Sequence, residues 1–422
     1  MPSPAVATLK FPAGIDNRSR EYELIEGSAR TLTNLDVTRA GGLRCRDGIR
    51  PVADGDCHSL FAHPNGNYAL LVQSGSLCRL AADESLTVIT SVAGHVTYAE
   101  LDGDVFWSDG SSIGRVQADG TVAPWGLATP AVPPLTVVSG GALSAATYHI
   151  AMTALHVATG IESGAAEPTA ITLTAAENIL ATAPSASASF KFNFYLTPPN
   201  GESGELRRVA TVDPGASVTL TTTTPDGQRL QSLHAVKPYP ASRLVTYKGR
   251  LWGASGSVLW HTSELSPHWL FPATGFLAFE SSIRMLGAAE DGIYVGLADR
   301  TYYLQGAQPG DMTQRLVSTL GATAGGGEPL PADVFAAQGA FPSRQCAWWD
   351  VEGVLCVGKP GGVIVRPNGE RYSAGSVTRA ASGYRARHGL RQWLSVLRAD
   401  DPITGPLQAI DPTLIPQPTP DS

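Results

Sequence analysis

Apolar and polar positions alternate along much of the chain in a unit that recurs. Each unit is a short apolar strand, a tight turn ending in glycine, a second apolar strand, a polar or glycine turn and a third strand. Alternation with a period of two predicts half-buried β-strands rather than helices. Five copies are clear and a sixth is looser; they span His58–Leu80, His95–Val116, Ser242–Thr262, Ser282–Gly306, Gln345–Pro367 and, for the looser copy, Tyr384–Asp400.

A glycine closes the first turn of each clear copy: Gly66, Gly103, Gly249, Gly292 and Gly353. A tight hairpin places a turn residue at positive φ, which glycine adopts without a steric clash. Gly66 and Gly103 lie 37 residues apart, and Gly249 and Gly292 lie 43 apart. Periods near 40 with about four strands each are typical of propeller blades. The sequence therefore predicts an all-β fold, a β-propeller of about six to seven blades, with an ordinary β-sandwich or a long meander as the alternative.

The regular spacing breaks between the second and third copies. The segment 131–240 is flanked by PAVPP and KPYP, is dominated by Thr, Ser and Ala, and contains no tryptophan. About seven alternating runs in this length fit an inserted immunoglobulin- or fibronectin-like β-sandwich, and the flanking prolines indicate a rigid attachment. We therefore predict a discontinuous propeller at 1–130 and 241–400, with an N-terminal arm at 1–39, the sandwich at 131–240, and a proline-rich C-terminal arm at 401–422.

Composition supports a fold of short strands and many turns. Hydrophobic residues make up 43% of the chain, charged residues only 16%, and there are 45 glycines and 31 prolines. The net charge of −7 argues against tight neutralisation of phosphates. We see no signal-peptide pattern and no apolar run of about 18 residues, so we expect no membrane insertion and synthesis in a reducing cytoplasm.

The cysteines do not suggest a disulfide framework. Their number, five, is odd for a chain of this length. We expect buried free thiols at Cys45, Cys57, Cys78, Cys346 and Cys356.

Signatures of catalysis are missing, and we predict no catalytic, cofactor-binding or metal-binding residues and no enzyme activity. GKPGG at 358–362 lacks the Walker A spacing and is interpreted as a hairpin turn. His58 and His63 have no acidic or thiol partner in sequence that would complete a metal site. QADGTVAPW at 117–125 resembles the Asp-box of sialidases only faintly, because no residue separates Asp119 from Gly120 and the motif occurs once.

Two further groups of side chains are of types that could bind carbohydrate. Arginines that alternate with apolar residues are expected on the solvent face of a strand; they are Arg385, Arg387, Arg391 and Arg398. Tryptophans inside the repeated strands are expected to pack in the core rather than to stack on sugars; they include Trp252, Trp260, Trp269, Trp348, Trp349 and Trp393.

Two stretches resemble a known family. The first, Gly14–Val52, contains a G-x-x-N start and an N-x-D…G-x-L-x-x-R-x-G pattern, at Gly14, Asn17, Asn34, Asp36, Gly42, Leu43, Arg46 and Gly48. The second, Leu244–Met312, carries Gly249, Arg250, Trp252, Trp260, Ser263 and Pro267 in the same family's pattern. The resemblance is to the tail nozzle, or tail-hub, propeller proteins of short-tailed bacteriophages, and it covers roughly a quarter of the chain directly.

The resemblance implies a structural protein of the virion tail, made in the host cytoplasm. It would form a homohexameric ring below the portal and adaptor and above distal tail or fibre proteins, through which duplex DNA passes during ejection without tight binding. The inserted sandwich is not part of the resemblance. The alternatives are a host-recognition or lectin-like binding propeller on a tail fibre or baseplate and, third, a glycan-cleaving enzyme.

The non-blade segments at both ends have two interpretations each. Leu43–Val52 could tie the ring to a neighbour or supply the strand that closes the propeller, and we favour the closing strand. The arm 401–422 could be solvated or could dock on a neighbouring subunit as an extended strand, and we favour docking.

Overall fold

A computed structural model describes residues 10–38, 40–46, 50–131, 133–223, 227–334, 342–387 and 390–399. The predicted C-terminal arm, the first nine residues of the N-terminal arm, and Gly48 of the family pattern lie outside these ranges. Helical structure in the described part consists of single 3-10 turns at Glu21–Glu23, Ser203–Glu205, Pro309–Asp311 and Pro360–Gly362. None of the helical segments described is long and apolar enough to cross a membrane.

The N-terminal region forms two small sheets. Strands β1 (Gly14–Ile15) and β2 (Ser28–Ala29) pair in parallel. Strands β3 (Leu35–Val37) and β4 (Leu43–Cys45) form an antiparallel hairpin. The expectation that Leu43–Val52 closes the propeller is wrong for β4, which pairs with β3 and, within the described residues, joins no larger sheet.

Two four-stranded antiparallel sheets follow, each a meander with its strands in chain order. The first sheet consists of β5 (Cys57–Ala62), β6 (Tyr68–Gln73), β7 (Ser76–Ala81) and β8 (Leu86–Ser91). The second consists of β9 (Thr97–Leu101), β10 (Asp104–Ser108), β11 (Ile113–Val116) and β12 (Val122–Ala123).

The segment between the second and third repeats contains seven strands: β13 (Leu135–Leu143), β14 (Thr147–His156), β15 (Thr169–Thr172), β16 (Glu177–Thr182), β17 (Phe190–Leu196), β18 (Arg207–Val212) and β19 (Ser217–Leu220). They form a three-stranded sheet in the order β13-β16-β19 and a four-stranded sheet in the order β15-β14-β17-β18. Buried side chains from both sheets, including Tyr148, Ile179 and Phe194, share one core. The strand number agrees with the sequence prediction, and none of these strands belongs to a sheet of the repeats.

Three more four-stranded meanders and a hairpin complete the described chain. The third sheet consists of β20 (Arg243–Tyr247), β21 (Arg250–Ser255), β22 (Val258–His261) and β23 (Phe276–Ala278). The fourth consists of β24 (Met285–Ala288), β25 (Gly292–Gly296), β26 (Thr301–Gln305) and β27 (Thr313–Ser318). The fifth consists of β28 (Glu328–Leu330), β29 (Gln345–Trp349), β30 (Leu355–Lys359) and β31 (Val363–Val365), and the hairpin pairs β32 (Arg379–Arg387) with β33 (Leu390–Arg398).

The all-β prediction is confirmed, and the repeated sheets are of the propeller-blade type. Four of the five clear repeats supply the first three strands of their sheets. The fifth differs, because Glu328–Leu330 precedes it and makes Gln345–Trp349 the second strand. The looser sixth repeat forms only a two-stranded sheet among the described residues.

Successive sheets pack face to face. Each of the five consecutive contacts, from the first sheet to the final hairpin, contains a hydrophobic cluster with side chains from both partners. A tryptophan belongs to each of these clusters: in chain order of the contacts they are Trp107, Trp260, Trp252, Trp348 and the partly buried Trp393. Large flat side chains fill the space between stacked sheets efficiently. The predicted packing role is therefore confirmed for Trp252, Trp260, Trp348 and Trp393.

Candidate functional site

Between Asn34 and Arg46 the N-terminal family pattern folds into one hairpin. Asn34 lies at positive φ (56°) just before β3, and its carbonyl oxygen accepts a hydrogen bond from the Arg46 N–H at 3.1 Å. The Arg46 guanidinium donates to the Asp36 carboxylate at 3.1 Å. In the turn, the Thr38 N–H donates to the Gly42 carbonyl at 2.8 Å. The spaced residues of the pattern therefore stabilise a local turn.

Asn17, the other polar residue of that pattern, joins the N-terminal region to the segment between β31 and β32. Its side-chain amide donates to the Ser373 carbonyl at 2.8 Å and accepts from the Ser373 N–H at 3.1 Å. Its own N–H donates to the Arg371 carbonyl at 2.9 Å. The neighbouring Arg18 guanidinium donates to the Gly369 carbonyl. These bonds join segments about 350 residues apart in sequence, a link that no local pattern could reveal.

Arg250 of the second family stretch connects the third and fourth sheets. Its guanidinium donates to the Thr262 carbonyl at 3.2 Å, to Glu264 at 3.1 Å and to Gln308 at 3.0 Å. Only 14% of its side chain is exposed, so these partners replace water around a charged group. Trp252 and Trp260 from the same stretch lie on opposite faces of the third sheet, in its contacts with the fourth and second sheets respectively.

Four of the five predicted turn glycines have the expected backbone conformation. Gly66, Gly103, Gly249 and Gly353 have φ between 67° and 86°. Gly292 does not have a positive φ and is instead the first residue of β25. A Cβ there would lie 2.4 Å from the Leu304 carbonyl oxygen, so close packing, not a turn, requires glycine at this position.

The first strands of the five sheets and of the hairpin lie side by side, and hydrogen bonds join them at one end. The Val96 N–H, just before β9, donates to Ser59 Oγ in β5 at 3.0 Å. The Leu244 N–H in β20 donates to Thr97 Oγ1 in β9 at 3.0 Å.

The same chain of contacts continues to the final hairpin. The Arg243 Nε donates to the Arg284 carbonyl, just before β24, at 2.8 Å. The Gly325 N–H, before β28, donates to the same carbonyl at 3.4 Å. The Ala324 N–H donates to the Thr378 carbonyl, just before β32, at 3.1 Å. The equivalent ends of successive first strands are therefore fixed next to one another.

Ionisable side chains lie at this end and form what we call the basic arc: His58, His95, Arg243, Glu328, Arg379 and Arg398. The rings of His58 and His95 lie 4.6 Å apart. Arg379 and Arg398 are directly opposite each other in the hairpin. Three guanidinium groups therefore share this end with a single carboxylate of the arc.

The ionisable groups of the arc affect one another's pKa values. Burial lowers the pKa of His95, and repulsion from His58, Arg379, Arg243 and Arg398 lowers it further. Burial raises the pKa of Glu328 to about 7, against the opposing attraction of Arg243. Yet the Glu328 side chain remains accessible to solvent. Glu328 therefore places a solvent-accessible carboxylate beside Arg243.

The sequence patterns do not predict the basic arc, although the positions of three arginines give a weak indication of it. Arg243 and Arg379 are the first residues of their strands, and Arg284 immediately precedes β24. An arginine at the start of the first strand in three repeats could have indicated a shared location. The signal is weak because it becomes meaningful only when the strands are known to be neighbours.

The other side chains considered from sequence occupy structural positions. The His63 ring contacts the Gly103 carbonyl at 2.9 Å, and Asp119 accepts from the Thr121 N–H within a turn. Arg385 bonds to Gln392, and Arg391 to Asp333 at 2.6 Å. GKPGG forms the short turn between β30 and β31, as predicted. Among the described residues, no group of three or more His, Cys, Asp or Glu side chains is placed to hold a metal ion.

All five cysteines are free. Cys78, Cys346 and Cys356 are buried as expected, and burial raises the pKa of Cys346 and of Cys356 to about 12. The expectation of burial is wrong for Cys45 and Cys57, which are exposed.

No protein-family model matches the chain, and no curated protein matches it either. Solved structures do match. Dipeptidyl peptidase 4 from Porphyromonas gingivalis is 9% identical over 79% of this chain and 41% of its own length, with a TM-score of 0.28. The Dos1 propeller is 8% identical over 83% of this chain and 76% of its own length, with a TM-score of 0.32. AztD from Citrobacter koseri is 12% identical over 81% of this chain and 89% of its own length, with a TM-score of 0.28. Similarities this weak carry no argument about function.

Proposed function

We propose that the protein is a structural component of the virion of a short-tailed phage, a tail nozzle that forms a hexameric ring around the path of ejected DNA. The observation that carries the proposal is the sequence resemblance at Gly14–Val52 and Leu244–Met312. The structure gives support, because the matched polar residues bind other residues of this chain: Asp36 and Arg46 pair within a hairpin, and Asn17 and Arg250 bind more distant segments. Polar residues that bind within the chain suit a scaffold protein.

In this proposal the five sheets and the β32–β33 hairpin are consecutive positions of a closed propeller of six to seven blades. The segment 131–240 is an immunoglobulin- or fibronectin-like sandwich displayed on it. Its seven strands in two sheets over one core support this assignment. The Trp269 indole donates to the Glu162 carbonyl at 2.7 Å, which supports a fixed orientation of the sandwich on the third sheet.

The partners in this proposal are other copies of the chain, the adaptor on the portal side, and distal tail or fibre proteins. Duplex DNA passes without tight binding, and the protein has no catalytic role. Cleavage of a purified capsular polysaccharide by the protein, lost on changing one carboxylate, would contradict the non-catalytic part.

Electron microscopy of the intact virus particle tests the location. We expect a hollow ring of six copies on the tail axis. Trimers on lateral fibres would instead indicate a host-recognition propeller, and absence from the particle would exclude both.

Light scattering on the purified protein tests the assembly step separately. We expect the full chain to form rings and a chain truncated after residue 400 to remain folded but to assemble poorly, because the removed arm is proposed to dock on a neighbour. Equal assembly of the two chains would contradict docking of the arm on a neighbouring subunit.

A further inference from the structure

The basic arc is unusual for this chain. The net charge is −7, yet three arginines lie near one another, beside two histidines, at one end of the first strands. These groups come from the first, second and third sheets and from the hairpin, so the fold, and not the sequence, brings them together. Repulsion between them costs free energy that a bound anion would offset.

We infer that the basic arc binds a small tetrahedral oxyanion, such as the phosphate group of a small molecule, at this end of the first strands. Guanidinium groups match such an anion well, because their planar set of N–H donors binds oxyanions in a bidentate way. This inference concerns the interior of one subunit and does not depend on the nozzle proposal.

The two ends of the first strands differ in their charge. At the basic arc, hydrogen bonds join the first strands of the first four sheets or the residues just before them. The other end of these strands carries mixed charge: Lys248 lies 3.8 Å from Glu290, which also accepts from the Arg344 N–H at 3.2 Å. Anion binding is therefore favoured only at the end of the first strands that carries the basic arc.

Binding should depend on pH through Glu328. Its raised pKa of about 7 means that the carboxylate is charged at pH 8 and protonated at pH 6. Protonation removes the negative charge beside Arg243. Asp109, which lies near this end in the second sheet, already accepts from the backbone N–H groups of Ala93, Ser111 and Ser112. Anion binding should therefore strengthen as pH falls from 8 to 6.

Titration calorimetry with sodium sulfate tests the inference, because the charge of sulfate stays constant over this pH range. The full chain is titrated at pH 8 and pH 6, with sodium chloride at matched ionic strength as the screening control and inorganic phosphate as a second probe. We expect saturable sulfate binding that is tighter at pH 6, and no saturable binding of chloride.

Four variants make the test specific. Arg243→Gln and the exposed Arg398→Gln should each weaken sulfate binding about tenfold, because each removes a charge-assisted donor. Glu328→Gln should tighten binding at pH 8 and flatten the pH dependence, a gain that misfolding could not produce. Arg300→Gln is the matched control, since Arg300 pairs with Asp299 and Glu280 at the turn into an outer strand.

Either of two results would overturn the inference. One is sulfate binding by Arg243→Gln and Arg398→Gln that equals binding by the unchanged protein and by Arg300→Gln. The other is sulfate behaving like chloride at equal ionic strength.

Discussion

Glycine has two separate uses in this protein, and only one of them is visible in the sequence. At Gly66 the backbone has φ of 71° and a Cβ would meet nothing within 4 Å, so the requirement is conformational. At Gly253, paired directly with Trp260, a Cβ would lie 2.1 Å from the indole ring, so the requirement is space. Gly114 pairs with Trp107 in the same way in the second sheet. A tryptophan can lie flat on the next strand only where the opposite residue has no side chain.

Substitutions at Gly66 and Gly253 should separate these two uses. Gly66→Asn should change the free energy of unfolding by less than about 1 kcal/mol, because asparagine tolerates the left-handed conformation. Gly253→Ala should destabilise by about 1–3 kcal/mol, because it overpacks a buried contact. Urea unfolding followed by tryptophan fluorescence measures both values. A larger loss at Gly66 than at Gly253 would contradict this explanation.

The inserted segment behaves as a separate element joined at two close points. Thr129 Oγ1 donates to the Ala235 carbonyl at 3.3 Å, so the chain enters and leaves the sandwich at nearly the same place. The strands between pair only with one another in the named sheets. Contacts with the third sheet also exist, since Val236 and Leu270 exchange backbone hydrogen bonds and Leu127 packs against the sandwich core.

The segment 128–240 should fold when expressed alone. Its core is internal to the segment apart from Leu127, so a cooperative thermal transition with β-type circular dichroism is expected. Phe194→Ala should destabilise the fragment by about 3–5 kcal/mol, because Phe194 is fully buried. The exposed Lys191→Ala, in the same strand, is the matched control. A fragment without a cooperative transition would show that its stability depends on the contacts with the third sheet.

In the complete molecule, charge is distributed unevenly. The overall balance is acidic, while positive charge concentrates in the basic arc. The site inferred at the arc takes a small anion, whereas tight binding of a duplex requires many phosphates to be neutralised. The acidic balance and the local basic site are therefore compatible properties of one subunit.

Affinity for duplex DNA should accordingly be weak. Since few phosphates would be neutralised, we expect a Kd no tighter than about 10⁻⁶ M at physiological salt, the range of non-specific binding. Fluorescence anisotropy with a labelled duplex measures this, and Arg243→Gln should leave the value unchanged. Salt-sensitive binding in the nanomolar range would contradict both the weak affinity and the proposed conduit.

The strands and hairpins of this protein follow from properties of residues that are close in sequence. Alternating apolar residues and turn glycines predicted the strands and hairpins around Gly103 and Gly249, because strand periodicity and positive φ are properties of neighbouring residues. The change in composition after Pro130 likewise marked the seven strands of the insert.

Contacts between distant residues were decided only by the tertiary structure. The added strand Glu328–Leu330, the attachment of Asn17 to Ser373, and the proximity of Arg243 to Arg379 all relate parts of the chain that no local pattern connects. Position 292 also requires glycine for a reason that the turn pattern does not show, because a Cβ there would be too close to the Leu304 carbonyl on the adjacent strand. Sequence periodicity specifies which face of a strand is buried, but packing between sheets decides which side chains meet there.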